Sequence, residues 1–103
     1  MQNKQKALNL LGLAMRAGKI VSGTETVISA LNKGQVKVII LASDLHENTS
    51  EKVIRAAKKV NVSIIDLFSS EELAHAIGKK RKVMGLTDVG FYKALTKKIN
   101  EGV

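Results

Sequence analysis

Cysteine is absent from the 103 residues, so neither a disulfide framework nor a thiolate metal site is available, and the composition suits a reducing cytoplasm. The two histidines, His46 and His75, fall in different elements, and neither has a second ligand three or four residues on. No metal is expected, and both are read as ordinary surface or boundary residues. Aromatic residues are limited to Phe68, Phe91 and Tyr92, too few for a surface that stacks successive bases on rings. No apolar run approaches the roughly 20 residues a membrane span requires. The apolar segment after Met1 to Lys6 is broken by Asn9, Gly12 and Arg16 and reads as an amphipathic helix, not a signal peptide.

Reactive groups for catalysis are equally scarce. Gly18-Lys19 resembles part of a phosphate loop, but position 13 is leucine where that motif needs glycine, and position 20 is isoleucine where it needs Ser or Thr. A Gly-Xaa-Ser-Xaa-Gly elbow is missing. Asp44 stands where open α/β sheets often keep a catalytic carboxylate, yet no partner base accompanies it, so it reads as a turn or cap residue. No catalytic residue and no cofactor are expected.

What the chain does carry is charge and alternation. Seventeen Lys and Arg against nine Asp and Glu give a net charge of +8, a surplus that biases the protein towards polyanions. A chain of this length reads as one domain, 1–103, able to bury a single core without staples. Leu8, Leu11 and Met15 recur at helical spacing from Lys4 to Ala17, and Gly18 ends that helix. Lys19 to Val21 reads as a short strand and Thr24 to Lys33 as a second helix with Val27, Ile28 and Leu31 inward. Ser22 with Glu25 fits a capping box at its start, and Gly34 fits the left-handed position after its end.

Val36 to Ala42 is nearly continuous in β-branched residues and leucine, as expected of a central strand covered on both faces. Asn48 and Glu51 suggest a cap for a third helix, which turns Val53, Ala56, Ala57 and Val60 inward and Lys52, Arg55, Lys58 and Lys59 outward to water. Val62 to Phe68 follows as a strand, then Ser69 and Glu72 cap a fourth helix that stops at Gly78. Lys79-Lys80-Arg81-Lys82, a run of four cations, precedes a strand from Val83 to Thr87, and Asp88 caps a fifth helix with Phe91, Leu95 and Ile99 inward. The order αβαβαβαβα predicts a sheet sandwiched between helix layers.

The opening of the second helix draws these features together, because helix starts present unpaired amides and partial positive charge to anions. The block Gly23 to Gly34, followed by Val36 to Asp44, resembles the signature of the kink-turn RNA-binding ribosomal proteins, the seven-Ae and thirty-e family. Similarity continues through Leu73-Ala74-His75-Ala76-Ile77-Gly78, and the closing stretch Lys82 to Phe91 is similar to the bacterial YlxQ-type branch, so the resemblance covers most of the chain.

That resemblance implies a three-layer α/β/α sandwich around a four-stranded mixed sheet, and a non-enzymatic, cytoplasmic RNA-binding protein without cofactor. It implies that structured RNA, of ribosomal kind and kink-turn-like, is met by Gly23, Thr24, Glu25, Thr26 and Ser29 at the start of helix 2 and by Lys79, Lys80, Arg81 and Lys82 in the loop before strand 4. Lys19 and Lys33 are placed as phosphate contacts, and Glu25 as an acceptor for guanine N–H groups. Where many family members have Asn-Glu and a lysine three residues later, this chain has Glu25-Thr26 and Ser29. Ala74 stands where the family often has glycine. A monomer, possible ribosome association and no membrane partner are expected; the alternative reading is a protein-interaction module of the same fold.

Overall fold

The computed structural model describes residues 2–101. Nine elements alternate: α1 (Gln2–Arg16), β1 (Ile20–Ser22), α2 (Thr24–Asn32), β2 (Val38–Ala42), α3 (Glu47–Lys59), β3 (Ile64–Phe68), α4 (Ser70–Ile77), β4 (Val83–Leu86) and α5 (Val89–Asn100). The strands form one sheet in the order β1-β4-β2-β3. β4 runs antiparallel to both β1 and β2, whereas β2 and β3 are parallel, so the sheet is mixed as expected.

The apolar run through β2 is explained by its position. All five of its residues are buried, because alternate side chains enter two different cores. Val38, Ile40 and Ala42 pack with Met84 and Leu86 of β4 against α1, α4 and α5. Ile39 and Leu41, with Val83, pack against Val27, Ala30 and Leu31 of α2 and Val53 and Ala57 of α3. Helices therefore cover both faces, which makes the three-layer sandwich.

One glycine on this frame is set by its neighbour. A Cβ at Gly12 of α1 would lie 2.8 Å from the Ala76 carbonyl oxygen, so the absence of a side chain lets α1 and α4 approach. Lys4 Nζ and a Glu72 carboxylate oxygen, 2.9 Å apart, join the same two helices at the surface.

Several local expectations are corrected. Ser22 does not cap α2: it is held in β1 opposite Met84, and the cap falls one residue later on Gly23, with no side-chain hydrogen bond. Glu25 therefore has no capping box to complete. Helix α3 starts earlier than the Asn48 and Glu51 signal implied; His46 takes the cap, its Nδ1 accepting from the Asn48 amide at 3.3 Å. Val60, expected inward, is the C-cap of α3 and is exposed. In α2 Ala30 is buried and Ile28 only half-buried, because the buried stripe is Val27, Ala30 and Leu31, which packs against β2, Val83 and α3. Lys19 and Val62 lie just outside their strands, since their amides close the preceding helices on Ala14 and Ala57. The signals at Ser69 with Glu72, at Gly78 and at Asp88 form the caps expected of them. Gly34 takes the left-handed conformation just after α2, φ 71°.

Candidate nucleic-acid interface

The backbone of β4 brings the loop at 79–82 to the start of α2. As the chain leaves that loop, the Lys82 carbonyl accepts from the Ala42 amide at 2.9 Å on one side, and the Val83 carbonyl accepts from the Gly23 amide at 2.9 Å on the other. Arg81 Nε then donates to Ser22 Oγ at 3.3 Å. The loop, the end of β1 and the start of α2 thus share one edge of the molecule.

At that edge α2 begins abruptly. Gly23 has φ 94° and ψ 142°, a left-handed, extended conformation that suits glycine, and its carbonyl accepts from Val27. The amides of Thr24, Glu25 and Thr26 precede the first intrahelical bond and receive no side-chain cap, so they remain available to an anion. Glu25, Thr26 and Ser29 are exposed, and Thr24 is half-buried. All four cations of the loop are exposed as well.

Two concave surfaces flank the edge. A shallow groove of about 370 Å³ runs down α2, lined by Val21, Glu25, Thr26, Ser29, Lys33 and Gln35. A cleft of about 320 Å³ opens between α4 and the loop, lined by Ser70, Glu71, Ala74, Lys80, Arg81 and Lys82. Three of the four cations, Lys80, Arg81 and Lys82, therefore line the wall of a cleft.

Lys19 and Lys33 are not part of this edge. The Lys19 carbonyl accepts from Thr87, at the opposite end of β4 from Val83, and Lys33 follows a nine-residue helix about 13 Å long. Lys33 shares the groove with Glu25 and Ser29, whereas Lys19 is tied to neither surface.

Asp44 has the structural role expected. Its two carboxylate oxygens accept from the Ser70 amide at 2.8 Å and the Ser70 hydroxyl at 2.7 Å, joining the end of β2 to the first turn of α4. Those hydrogen bonds, from the hydroxyl first and then the amide, hold its carboxyl below the usual carboxylate range, with the Lys82 charge adding to the effect. This fastens the wall of the cleft opposite the cation loop.

One participant escaped sequence reasoning. Lys52, on the face of α3 read as merely solvated, places its Nζ 2.5 Å from Glu25 Oε1. No local signal pairs two residues 27 apart in the chain; only the packing of α3 beside α2 does so.

The comparisons agree with this frame. The family profile described as ribosomal protein L7Ae/L30e/S12e/Gadd45 family matches residues 5–96. The chain is 45% identical to "RNA-binding protein YlxQ" of Enterococcus faecium over 100 residues, covering 97% of this chain and 96% of that protein. A solved Bacillus halodurans C protein, described as having unknown function, superposes with a TM-score of 0.87 at 36% identity, covering 92% of this chain and 97% of that one. The Giardia lamblia 15.5kD RNA binding protein shares the fold, with a TM-score of 0.76 at 17% identity over 98% of this chain and 88% of that one.

Proposed function

The chain belongs to the ribosomal protein L7Ae/L30e/S12e/Gadd45 family, and from that premise we propose that it is a non-enzymatic RNA-binding protein. It meets a structured, kink-turn-like internal loop at one edge, through Gly23, Thr24, Glu25, Thr26 and Ser29 and through Lys79, Lys80, Arg81 and Lys82. The protein works as a cytoplasmic, ribosome-associated monomer, and it needs no cofactor.

The observation that carries this reading is the double hydrogen bonding of the Lys82-Val83 backbone, to Ala42 and to Gly23, which holds four cations beside three free helix amides. A sharply bent RNA brings phosphates from two strands close together. An edge with a helix start on one side and a cation loop on the other meets both, while the exposed side chains of α2 face base edges. Lys33 extends the phosphate track down the α2 groove, and Lys19 contributes at the far end of β1.

Salt dependence of binding tests the reading. With a kink-turn hairpin as the probe, log Kd rises linearly with log salt, and the triple variant Lys79→Ala, Lys80→Ala, Arg81→Ala flattens that slope by about 2 to 3 units if each cation contacts phosphate. An unchanged slope removes the loop from the interface. Retention of a protein partner through high-salt washing, with no RNA bound, replaces the reading with the protein-interaction alternative.

A further inference from the structure

Glu25 poses a physical question that its neighbourhood answers. A carboxylate in the first turn of α2 suits the helix dipole, but it also sits among the amides that would receive phosphate, where its charge repels the ligand. It is not held there as a cap, since the N-cap is Gly23 and the Gly23 amide is already bonded to the Val83 carbonyl. What holds it is Lys52, which reaches from α3 to Oε1.

We infer that Lys52 is a positioning residue for RNA discrimination: its ammonium neutralises Glu25 and fixes the carboxylate through Oε1, so that Oε2 is presented outward as an acceptor for base N–H donors. This rests on the RNA-binding reading above and adds to it a residue on a third element.

Three observations support the assignment. The pair is highly exposed, with 56% of the Lys52 side chain and 80% of the Glu25 side chain accessible, so it contributes little to folding and its removal is read on RNA binding without a loss of the fold. It uses one carboxylate oxygen, Oε1, in the contact that defines it. Glu25 also lines the groove that carries Thr26, Ser29 and Lys33, so the group that Lys52 orients belongs to the surface offered to RNA. A neutralised, oriented carboxylate selects donors on a base edge without repelling the adjacent phosphates. An unpaired one swings freely and repels the phosphates.

The test measures Kd for a kink-turn hairpin and for a plain duplex of equal length, with wild type, Lys52→Met, Lys52→Arg, Glu25→Gln and the Lys52→Met/Glu25→Gln double variant. Lys52→Met lowers the preference for the kink-turn about fivefold or more, on the scale of a lost base contact. Lys52→Arg retains the preference. The double variant is no worse than Glu25→Gln alone, as coupled residues require. Melting temperatures stay within about 2 °C of wild type, as an exposed ion pair implies. Equal weakening on both RNAs, an undiminished effect in the Glu25→Gln background, a matching fall in melting temperature, or a wild type that prefers neither RNA overturns the assignment. Binding by wild type separates the two levels. If wild type binds neither RNA, the RNA reading itself fails; if wild type prefers the kink-turn while Lys52→Met keeps full discrimination, only the role of Lys52 fails.

Discussion

Arg81 Nε donates to Ser22 Oγ at 3.3 Å, closing a contact between residues 59 apart in the chain. Ser22 is the last residue of β1 and Arg81 lies two residues before β4, so the bond ties the cation loop to the residue before Gly23.

Replacing Arg81 separates its charge from its shape. Arg81→Lys keeps the cation but loses the planar fork, whereas Arg81→Ala loses both. Both variants bind a kink-turn hairpin more weakly than wild type. Arg81→Lys leaves the salt slope as it was, while Arg81→Ala lowers it by about 1 unit. Titrations at three or four salt concentrations read both effects.

Gly23→Ala strains the backbone without a clash. Nothing lies within 4 Å of a Cβ there, but φ is 94°. Alanine pays about 1 to 3 kcal/mol to keep that conformation, or shifts the start of α2 to avoid it. Urea unfolding shows the loss, and RNA binding falls with it because the free amides move.

Gly12→Ala sets two effects against each other. Alanine favours the interior of α1 by about 1 kcal/mol over glycine. Its Cβ would stand 2.8 Å from the Ala76 carbonyl oxygen, a backbone atom that cannot swing aside, and overpacking of this kind costs about 1 to 3 kcal/mol. The clash wins, so the urea midpoint falls with an unchanged m-value.

Acid weakens the fold through two carboxylates. Glu72 is held below its ordinary value of 4.5 by its bond from Lys4 first and then by the Ser69 amide, and Asp44 below 3.8 by Ser70. Groups whose folded pKa is depressed stabilise the protein fully above their unfolded pKa and lose that contribution as pH falls through the folded value. Melting temperature is therefore flat in these two groups above about pH 5 and declines from there down towards pH 3. The Asp44→Asn/Glu72→Gln variant has a shallower decline, read by thermal melts at half-unit steps.

The elements were legible because each carried its own local physics. The apolar run from Val36 announced a doubly covered strand, and Ser69 with Glu72, Gly78 and Asp88 announced boundaries that involve only neighbours in the chain. Ser22 and Glu25 misled for the opposite reason. Their spacing fits a capping box, but strand pairing of Ser22 with Met84 takes precedence and moves the cap to Gly23. At Asn48 the cap also falls elsewhere, on His46, whose Nδ1 accepts from the Asn48 amide.

The amino-acid order by itself determined the alternation of helices and strands, the central place of β2 and the cation run at 79–82, since these depend on spacing and composition over a few residues. Only the tertiary structure decided that Lys82 and Val83 lie between Ala42 and Gly23, that Arg81 reaches Ser22, that Lys19 stands at the other end of β4 and that Lys52 holds Glu25. Those are contacts between distant stretches, and strand order and helix packing bring them together; local propensity carries no record of either.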